Sequence, residues 1–495
     1  MSYTDLLMQE YILGDRMGEL EESLADSLRV DCSAKTYPAA GPVLWSDGKE
    51  MVMDTGEAHT LVISGTGGGK TVSQMMPTLR AAVKAGESLL VTDVKGGELY
   101  ESAWPYLKQQ GYRIWVVNLR QPLHGLRYNP LFLPFLLLRS NKAELNELGH
   151  QMLAQAADAI VTKENEKDPF WDHASKDTFL GLAYLLVLLD DPRFCHLQNI
   201  CDLFTILREE PKQLRSWIEF TAARHELGKA ARRLLSARLF SESSPRTSAG
   251  IDSTLAAKFN RFLGTPLQAD FLGGNDLDFT HLDEERIGIF LLLPDESDIW
   301  QTHASLLVTQ IYQYLCLVAA EQADGRLPHR FHFILEEFGN LNLGNSAASL
   351  FSAGRSRNIR VTAAIQNFSQ LEHRYGRELA DVIRYNCGNW VYLYTRDLET
   401  LRMLSELCGT RTYLQEGVTR PTASVGDLQR IPQGQALVFR QRSRPFLTRL
   451  APVWDYPETA EDEKAAYPVR TLQGSVSLHK QQVDDCLRRL RADVR

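Results

Sequence analysis

Residues 61–71 read Leu-Val-Ile-Ser-Gly-Thr-Gly-Gly-Gly-Lys-Thr, an apolar run that breaks into a glycine-rich loop. No other stretch restricts the fold as tightly. A buried strand must end at Ile63, a phosphate-binding loop must follow, and a helix must start near Val72 with its positive end on the same anion. Three consecutive glycines let the backbone turn its N–H groups inward around polyphosphate oxygens. Lys70 reaches the β- and γ-phosphates, and the Thr71 hydroxyl holds Mg²⁺. Ser64, Gly65, Thr66, Gly67, Gly68, Gly69, Lys70 and Thr71 are therefore the expected nucleotide site, with ATP and Mg²⁺ as its ligands. The strict pattern has glycine at the first position, where this chain has Ser64.

From about residue 59, short apolar runs alternate with helical stretches. Strands are expected at 61–63, 88–92 and 113–118, with helices at 70–85 and 98–110. Such alternation argues for an α/β fold, a parallel sheet with helices on both faces. From 141 to 264 the strands stop. The segments 141–163, 172–190, 197–208, 228–240 and 250–263 carry helical periodicity, which reads as an all-α insertion. The alternation then resumes, with strands at 287–293, 331–335, 360–365 and 390–394 and a late hairpin at 436–449. The expected division is a helical arm and linker at 1–50, an α/β domain from 51–140 and 265–455, the all-α domain at 141–264, and a polar tail at 456–495. Within the arm, 5–28 has helical spacing with acids at Glu19, Glu21, Glu22 and Asp26, and 38–48 reads as a linker or hairpin. Within the tail, Arg488, Arg489 and Arg491 mark a basic helix.

At 495 residues there is room for two to four domains, and 44% apolar with 23% charged residues is ordinary for a soluble globular protein. The net charge of −8 removes any global basic signature for nucleic acid, although a pore or groove needs positive charge only on its lining. Seven dispersed cysteines with no C-x-x-C pair argue for reduced thiols, a cytosolic setting and no cysteine-held metal. The longest clean apolar run, Phe179 to Leu189, is too short for a bilayer, which needs about 20 residues. Ser305 to Ala320 carries Gln310 and Gln313 and reads as a buried helix. The first residues have no signal-like core. A cytoplasmic protein with no transmembrane segment is expected.

Hydrolysis of a nucleotide also needs a carboxylate in the Mg²⁺ shell and a base for water. Phe331 to Leu335 is an apolar strand that ends in Glu336 and Glu337. Glu336 is expected to face the metal, where Asp is usual, and Glu337 to polarise the attacking water. The stretches near 70 and near 337 are expected to meet across adjacent strands. Gln366 ends the strand 360–365, where an amide senses phosphate and orients water. Arg355 follows Gly354 at a helix end, placed for presentation to a neighbouring subunit, where an arginine stabilises the charge of phosphoryl transfer.

Several ordered blocks run along the chain: the loop at 64–71, Thr92-Asp93-Val94-Lys95-Gly96-Gly97-Glu98-Leu99, Tyr128-Asn129-Pro130-Leu131 and Pro169-Phe170-Trp171. They continue with Ser253-Thr254-Leu255 and Phe262-Leu263, then Leu335-Glu336-Glu337-Phe338-Gly339-Asn340-Leu341, and Gln366 to Leu371 with Tyr375-Gly376. In this order and spacing the blocks resemble the type IV secretion coupling proteins, the TraG-like conjugation ATPases. The resemblance implies a RecA-like P-loop domain with an inserted all-α domain, assembled as a homo-hexameric ring. It implies that Arg355 matches the arginine finger and Gln366 the phosphate-sensing glutamine. The implied cargo is DNA, single-stranded or duplex, with a relaxase or effector protein, delivered to a secretion channel. The family carries N-terminal transmembrane helices. This chain then belongs to a soluble branch or lies at the inner membrane through an anchor supplied by a partner. Loops around Lys95 and Arg355–Arg360 are candidate DNA grips. Two other readings are a soluble HerA/FtsK-like DNA translocase of repair or defence, and a protein-cargo adaptor switched by nucleotide.

Overall fold

The computed structural model of this protein describes residues 12–161, 169–189, 191–241, 244–279, 282, 286–294, 298–414, 417–461, 463–474, 477 and 478. The chain divides into two units. The first comprises Met1–Arg120, Thr280–Glu296 and Tyr314–Tyr467, and the second Gln121–Phe279, Ser297–Gln313 and Pro468–Arg495. The helical unit is thus wider than the expected 141–264, and the tail is shared between the two. The basic helix expected at Arg488, Arg489 and Arg491 lies outside the described residues, as do residues 1–11 of the expected arm.

The first unit holds strands β1 (Ile12–Gly14), β2 (Leu28–Asp31), β3 (Val43–Ser46), β4 (Glu50–Met53), β5 (His59–Ser64), β6 (Ser88–Asp93), β7 (Arg113–Asn118) and β8 (Ile287–Leu292). It continues with β9 (Phe331–Leu335), β10 (Ile359–Ile365), β11 (Cys387–Tyr394), β12 (Thr410–Tyr413), β13 (Val418–Pro421), β14 (Gln435–Arg440) and β15 (Phe446–Arg449). Nine of them form one sheet in the order β15-β14-β11-β5-β10-β9-β6-β8-β7. From β7 to β11 neighbouring strands run parallel, and β14 and β15 add an antiparallel hairpin at one edge. Every residue of β5, β6, β8, β9 and β10 is buried, as a parallel sheet covered on both faces requires. That is why these strands read as unbroken apolar runs. β15 alternates buried and exposed residues, the mark of an edge with one wet face.

The expected arm departs most from its sequence reading. Its described part contains one helical turn, Leu20–Ser23, between two strands. β1 pairs with β12, and β2 pairs with β4 in a small sheet β2-β4-β3. Gly14 takes φ 115°, which no helix accommodates, so tertiary strand pairing overrides the local helical spacing. The 38–48 stretch enters a hairpin, since β3 pairs antiparallel with β4.

A buried charge cluster closes the end of the sheet away from the strands' C-termini. Arg360, on β10, is 1% exposed and donates to the carbonyl oxygens of Ala40, Thr55 and Gly56. Its Nη1 also lies 3.6 Å from Glu87 Oε1, and His332 Nδ1 lies 3.4 Å from Glu87 Oε2. Burial pushes the Glu87 carboxyl up, yet His332, Arg360 and Arg330 outweigh it and hold the carboxyl below its usual range. Burial lowers the Arg360 guanidinium to about 10. Arg360 is therefore a structural residue, and the expectation that it grips DNA is wrong.

The second unit is helical, with its longest described helices at Ala143–Ile160, Phe170–Val187 and Pro245–Leu263. Tyr128 and Asn129 are buried in it: the Tyr128 hydroxyl donates to Gln310 Oε1 at 2.9 Å and Asn129 Nδ2 to the Cys195 carbonyl at 2.7 Å. That block is packing, not chemistry. The helix Pro211–Ala222 has no counterpart in the sequence reading; it opens with proline at its first position. Among the described residues one helix, Ile299–Glu321, is long and apolar enough to cross a membrane by length and composition, and its most apolar stretch is mostly buried inside the protein.

Candidate active site

The glycine-rich loop leaves the C-terminal end of β5. Ser64 is the last strand residue, paired with Tyr394 of β11, and the Gly65 N–H donates to the Tyr394 carbonyl at 2.7 Å. Extended backbone suits serine, so its place at the head of the loop costs nothing in conformation. Gly67 and Gly69 take φ 79° and 85°, where an L side chain is strained. A Cβ on Gly68 would stand 2.3 Å from Ser64 Oγ. The loop geometry therefore requires glycine at three positions. Thr66 is exposed at its tip. The chain then enters a wide first turn, Thr71–Met75, and the helix Met76–Lys84.

Lys70 forms an ion pair with Glu337 Oε1. The Thr71 hydroxyl donates to Glu336 Oε1 at 2.7 Å. Gln366 Nε2 donates to the other Glu337 oxygen at 3.2 Å. The two distant stretches of sequence thus meet at one point, but not across adjacent strands. β10 stands between β5 and β9. Two strand spacings separate the loop strand from the acid strand, about 10 Å. The gap is what gives Gln366, at the end of the intervening β10, its place beside Glu337.

The acids are held in distinct ways. Glu336 is fully buried, and its Oε2 has no hydrogen-bond partner among the described residues. Burial raises its pKa, the Thr71 hydrogen bond opposes that, and Asp93 raises it further. An orphaned carboxylate oxygen beside a threonine hydroxyl is an arrangement that a divalent cation satisfies. Glu337 sits at φ 50°, ψ 47°, left-handed geometry for a residue with a side chain. Such a residue costs on the order of 1–3 kcal/mol and is found where surroundings over-determine it. Here the next residues are pinned to the helix Phe368–Tyr375. Gln370 Nε2 donates to Asn340 Oδ1 at 3.3 Å, Arg374 Nε donates to the Gly339 carbonyl at 3.1 Å, and the Phe338 and Tyr375 rings stack at 5.3 Å. Gln370 Oε1 accepts the Gln366 backbone N–H at 3.0 Å, which ties the glutamine to the same cluster.

Arg355 does not join this group. It follows the helix Asn345–Ala353, beyond the N-terminal end of β10, and its Nε lies 3.8 Å from Glu57 Oε2. β10 has seven residues, so Gln366 and Arg355 are separated by about 20 Å of strand. Lys95 departs from its reading in the opposite sense. Its ammonium donates to Thr71 Oγ1 at 2.9 Å, inside the cluster, where the sequence placed it only on a loop of unknown facing.

A family model described as Type IV secretory system Conjugative DNA transfer matches residues 19–433. The chain belongs to that family. It is 23% identical over 421 residues to a probable conjugal transfer protein TraG of Sinorhizobium fredii, covering 84% of this chain and 62% of that protein. It is 24% identical over 380 residues to a type IV secretion system-coupling protein VirD4 of Bartonella quintana, covering 74% and 55%. The chain thus spans about three-fifths of the length of the curated relatives it matches. Among solved structures, the plasmid coupling protein TrwB in complex with ADP and Mg²⁺ superposes with TM-score 0.58 at 15% identity, covering 92% of this chain and 96% of that one. The fold is the RecA-like P-loop architecture, with helices added to a mainly parallel sheet.

Proposed function

We propose that this protein is an ATP-hydrolysing coupling motor that moves DNA, or DNA with a bound relaxase or effector protein, toward a type IV secretion channel. The observation that carries the reading is the convergence of Lys70, Thr71, Glu336, Glu337 and Gln366 at the C-terminal ends of β5, β9 and β10. Family membership, and a likeness in fold to a coupling protein solved with ADP and Mg²⁺, support it.

In this reading the backbone N–H groups of 65–69 receive the polyphosphate, with Ser64 and Thr66 framing the loop. Lys70 exchanges its Glu337 partner for the β- and γ-oxygens. Thr71 and Glu336 would hold Mg²⁺, which would supply charge neutralisation for the polyphosphate. Glu337, released from Lys70, accepts hydrogen bonding from the attacking water, and Gln366 keeps that carboxylate and the water aligned. Arg355 is remote within its own chain and carries 55% side-chain exposure, which suits supply to the site of a neighbour in a homo-hexameric ring. The location consistent with this work is the cytoplasmic side of the inner membrane, held there through partner proteins of the channel.

The test is the ATPase rate of the full chain at low salt with single-stranded DNA, duplex DNA and none, with oligomeric mass recorded alongside. Stimulation by DNA in a multimer supports the motor. A rate indifferent to both DNAs overturns the DNA cargo, and the absence of any rate overturns the enzyme.

A further inference from the structure

We infer that Lys95 is a second phosphate-binding cation of the nucleotide site, beside the metal-holding pair Thr71 and Glu336, and not a grip on DNA. This rests on the nucleotide reading above. Three observations carry it.

The first is position. Lys95 Nζ lies 2.9 Å from Thr71 Oγ1, and that hydroxyl lies 2.7 Å from Glu336 Oε1. The ammonium therefore stands where the metal-bound end of a polyphosphate must come. The second is partnership. Lys70 is already matched to Glu337, whereas the Thr71 hydroxyl is the one acceptor Lys95 has among the described residues. Lys95 stands near enough to Glu336 to draw that carboxyl's pKa down, but its hydrogen bond goes to a neutral hydroxyl, so the ammonium is available to an anion and a charge-assisted bond to phosphate is the stronger contact.

The third is the rigidity of the loop that presents it. Asp93, buried at the end of β6, accepts the N–H groups of Lys95 at 3.2 Å and Gly97 at 3.1 Å on one oxygen. On the other it accepts those of Leu99 at 2.8 Å and Tyr100 at 3.1 Å. Gly96 and Gly97 take φ 83° and 108°, turning the chain tightly into the helix Glu98–Gln109. From outside, the Tyr467 hydroxyl donates to Glu101 at 3.0 Å and would stand 2.7 Å from a Cβ on Gly97. A loop fixed from both sides is what positions a ligand-binding lysine, whose free side chain is otherwise costly to order.

The test compares full-length wild type, Lys95→Ala, Lys95→Gln and Lys95→Arg. A fluorescent ATP analogue is titrated with Mg²⁺ and with a chelator, and a labelled DNA oligonucleotide is titrated without nucleotide. Lys95→Ala and Lys95→Gln should weaken the ATP analogue about tenfold, more in chelator than in Mg²⁺, because the metal then no longer shares the neutralisation. Lys95→Arg should restore most of the affinity, and DNA affinity should not move. ATP-analogue affinity unchanged within about twofold in both conditions, or DNA affinity lost in its place, overturns the inference. If the wild type fails to bind the analogue, the nucleotide reading itself falls. If wild type binds and Lys95→Ala equals it, only the role of Lys95 falls.

Discussion

At the scale of single residues, Lys70 and Glu337 neutralise one another, and their separate removal should have unlike effects. Lys70→Ala deletes the cation aimed at the β- and γ-phosphates, and the backbone amides of the loop cannot replace a full charge. Titration with a fluorescent nucleotide should show binding lost for Lys70→Ala. Glu337→Gln keeps the size and the left-handed backbone but removes the base. It should retain ATP and hydrolyse it roughly 10²–10⁴-fold more slowly, as single-turnover kinetics will read. Comparable loss of binding in both variants would contradict the division of roles. Ser64 needs no compensation, because it ends a strand and not a turn. Glu336 is the subtler departure from the usual aspartate. Its longer side chain meets the Thr71 hydroxyl directly, with one oxygen left over.

At the scale of elements, β10 joins two kinds of chemistry. One end carries Gln366; the other carries Arg360 among buried carbonyls and Glu87. Replacing Arg360 by Met removes one of the cations around the buried Glu87, which keeps His332 and Arg330, and takes the guanidinium from the Ala40 and Gly56 carbonyl oxygens, while Thr55 keeps Arg330. Unfolding in urea should show a loss of about 2–3 kcal/mol. A loss under about 1 kcal/mol would mean that water reaches the cluster. This strand also shows what sequence can and cannot disclose. The runs Leu61–Ile63, Leu89–Val91, Phe333–Leu335 and Val361–Ile365 were legible because both faces of a parallel sheet are buried. The short strands β1, β2, β12 and β13 were not, since three or four residues carry no period, and the partner of β1 lies far along the chain. Over the described residues 12–28 the helical spacing holds only at Leu20–Ser23, because pairing with β12 and β4 outweighs local preference at either end and Gly14 takes a non-helical φ. In the site, the loop and the two acids were readable as motifs. The interposed strand and the inward turn of Lys95 were not, because strand order and side-chain direction are properties of the folded sheet.

At the scale of the whole molecule, a ring built from this chain would complete each site with a cation from the next copy. Arg355→Ala should therefore leave nucleotide affinity intact and lower turnover of the multimer by about 10³-fold. Mixed assemblies of Arg355→Ala with Glu337→Gln chains should regain partial activity, since some interfaces then combine an intact base with an intact arginine. Steady-state rates against mixing ratio will decide; strictly additive inactivity would place Arg355 outside the reaction. The last stretch of the first unit contributes differently. Glu458 pairs with Arg80 at 3.1 Å and Glu463 with Lys108 at 2.6 Å, and the Ala466 carbonyl accepts the Tyr100 hydroxyl at 2.5 Å. The 458–466 part of the expected tail is a belt across the helices Met76–Lys84 and Glu98–Gln109.

The interposed β10 has a mechanical corollary. A fully paired ribbon, sealed between two neighbours, stretches very little, so it behaves as a stiff spoke. One tip carries Gln366 beside Glu337, and just before the other stands Arg355, the guanidinium that the proposed ring would offer to a neighbour. In the proposed ring, so rigid a link would let the two ends of the strand report on one another.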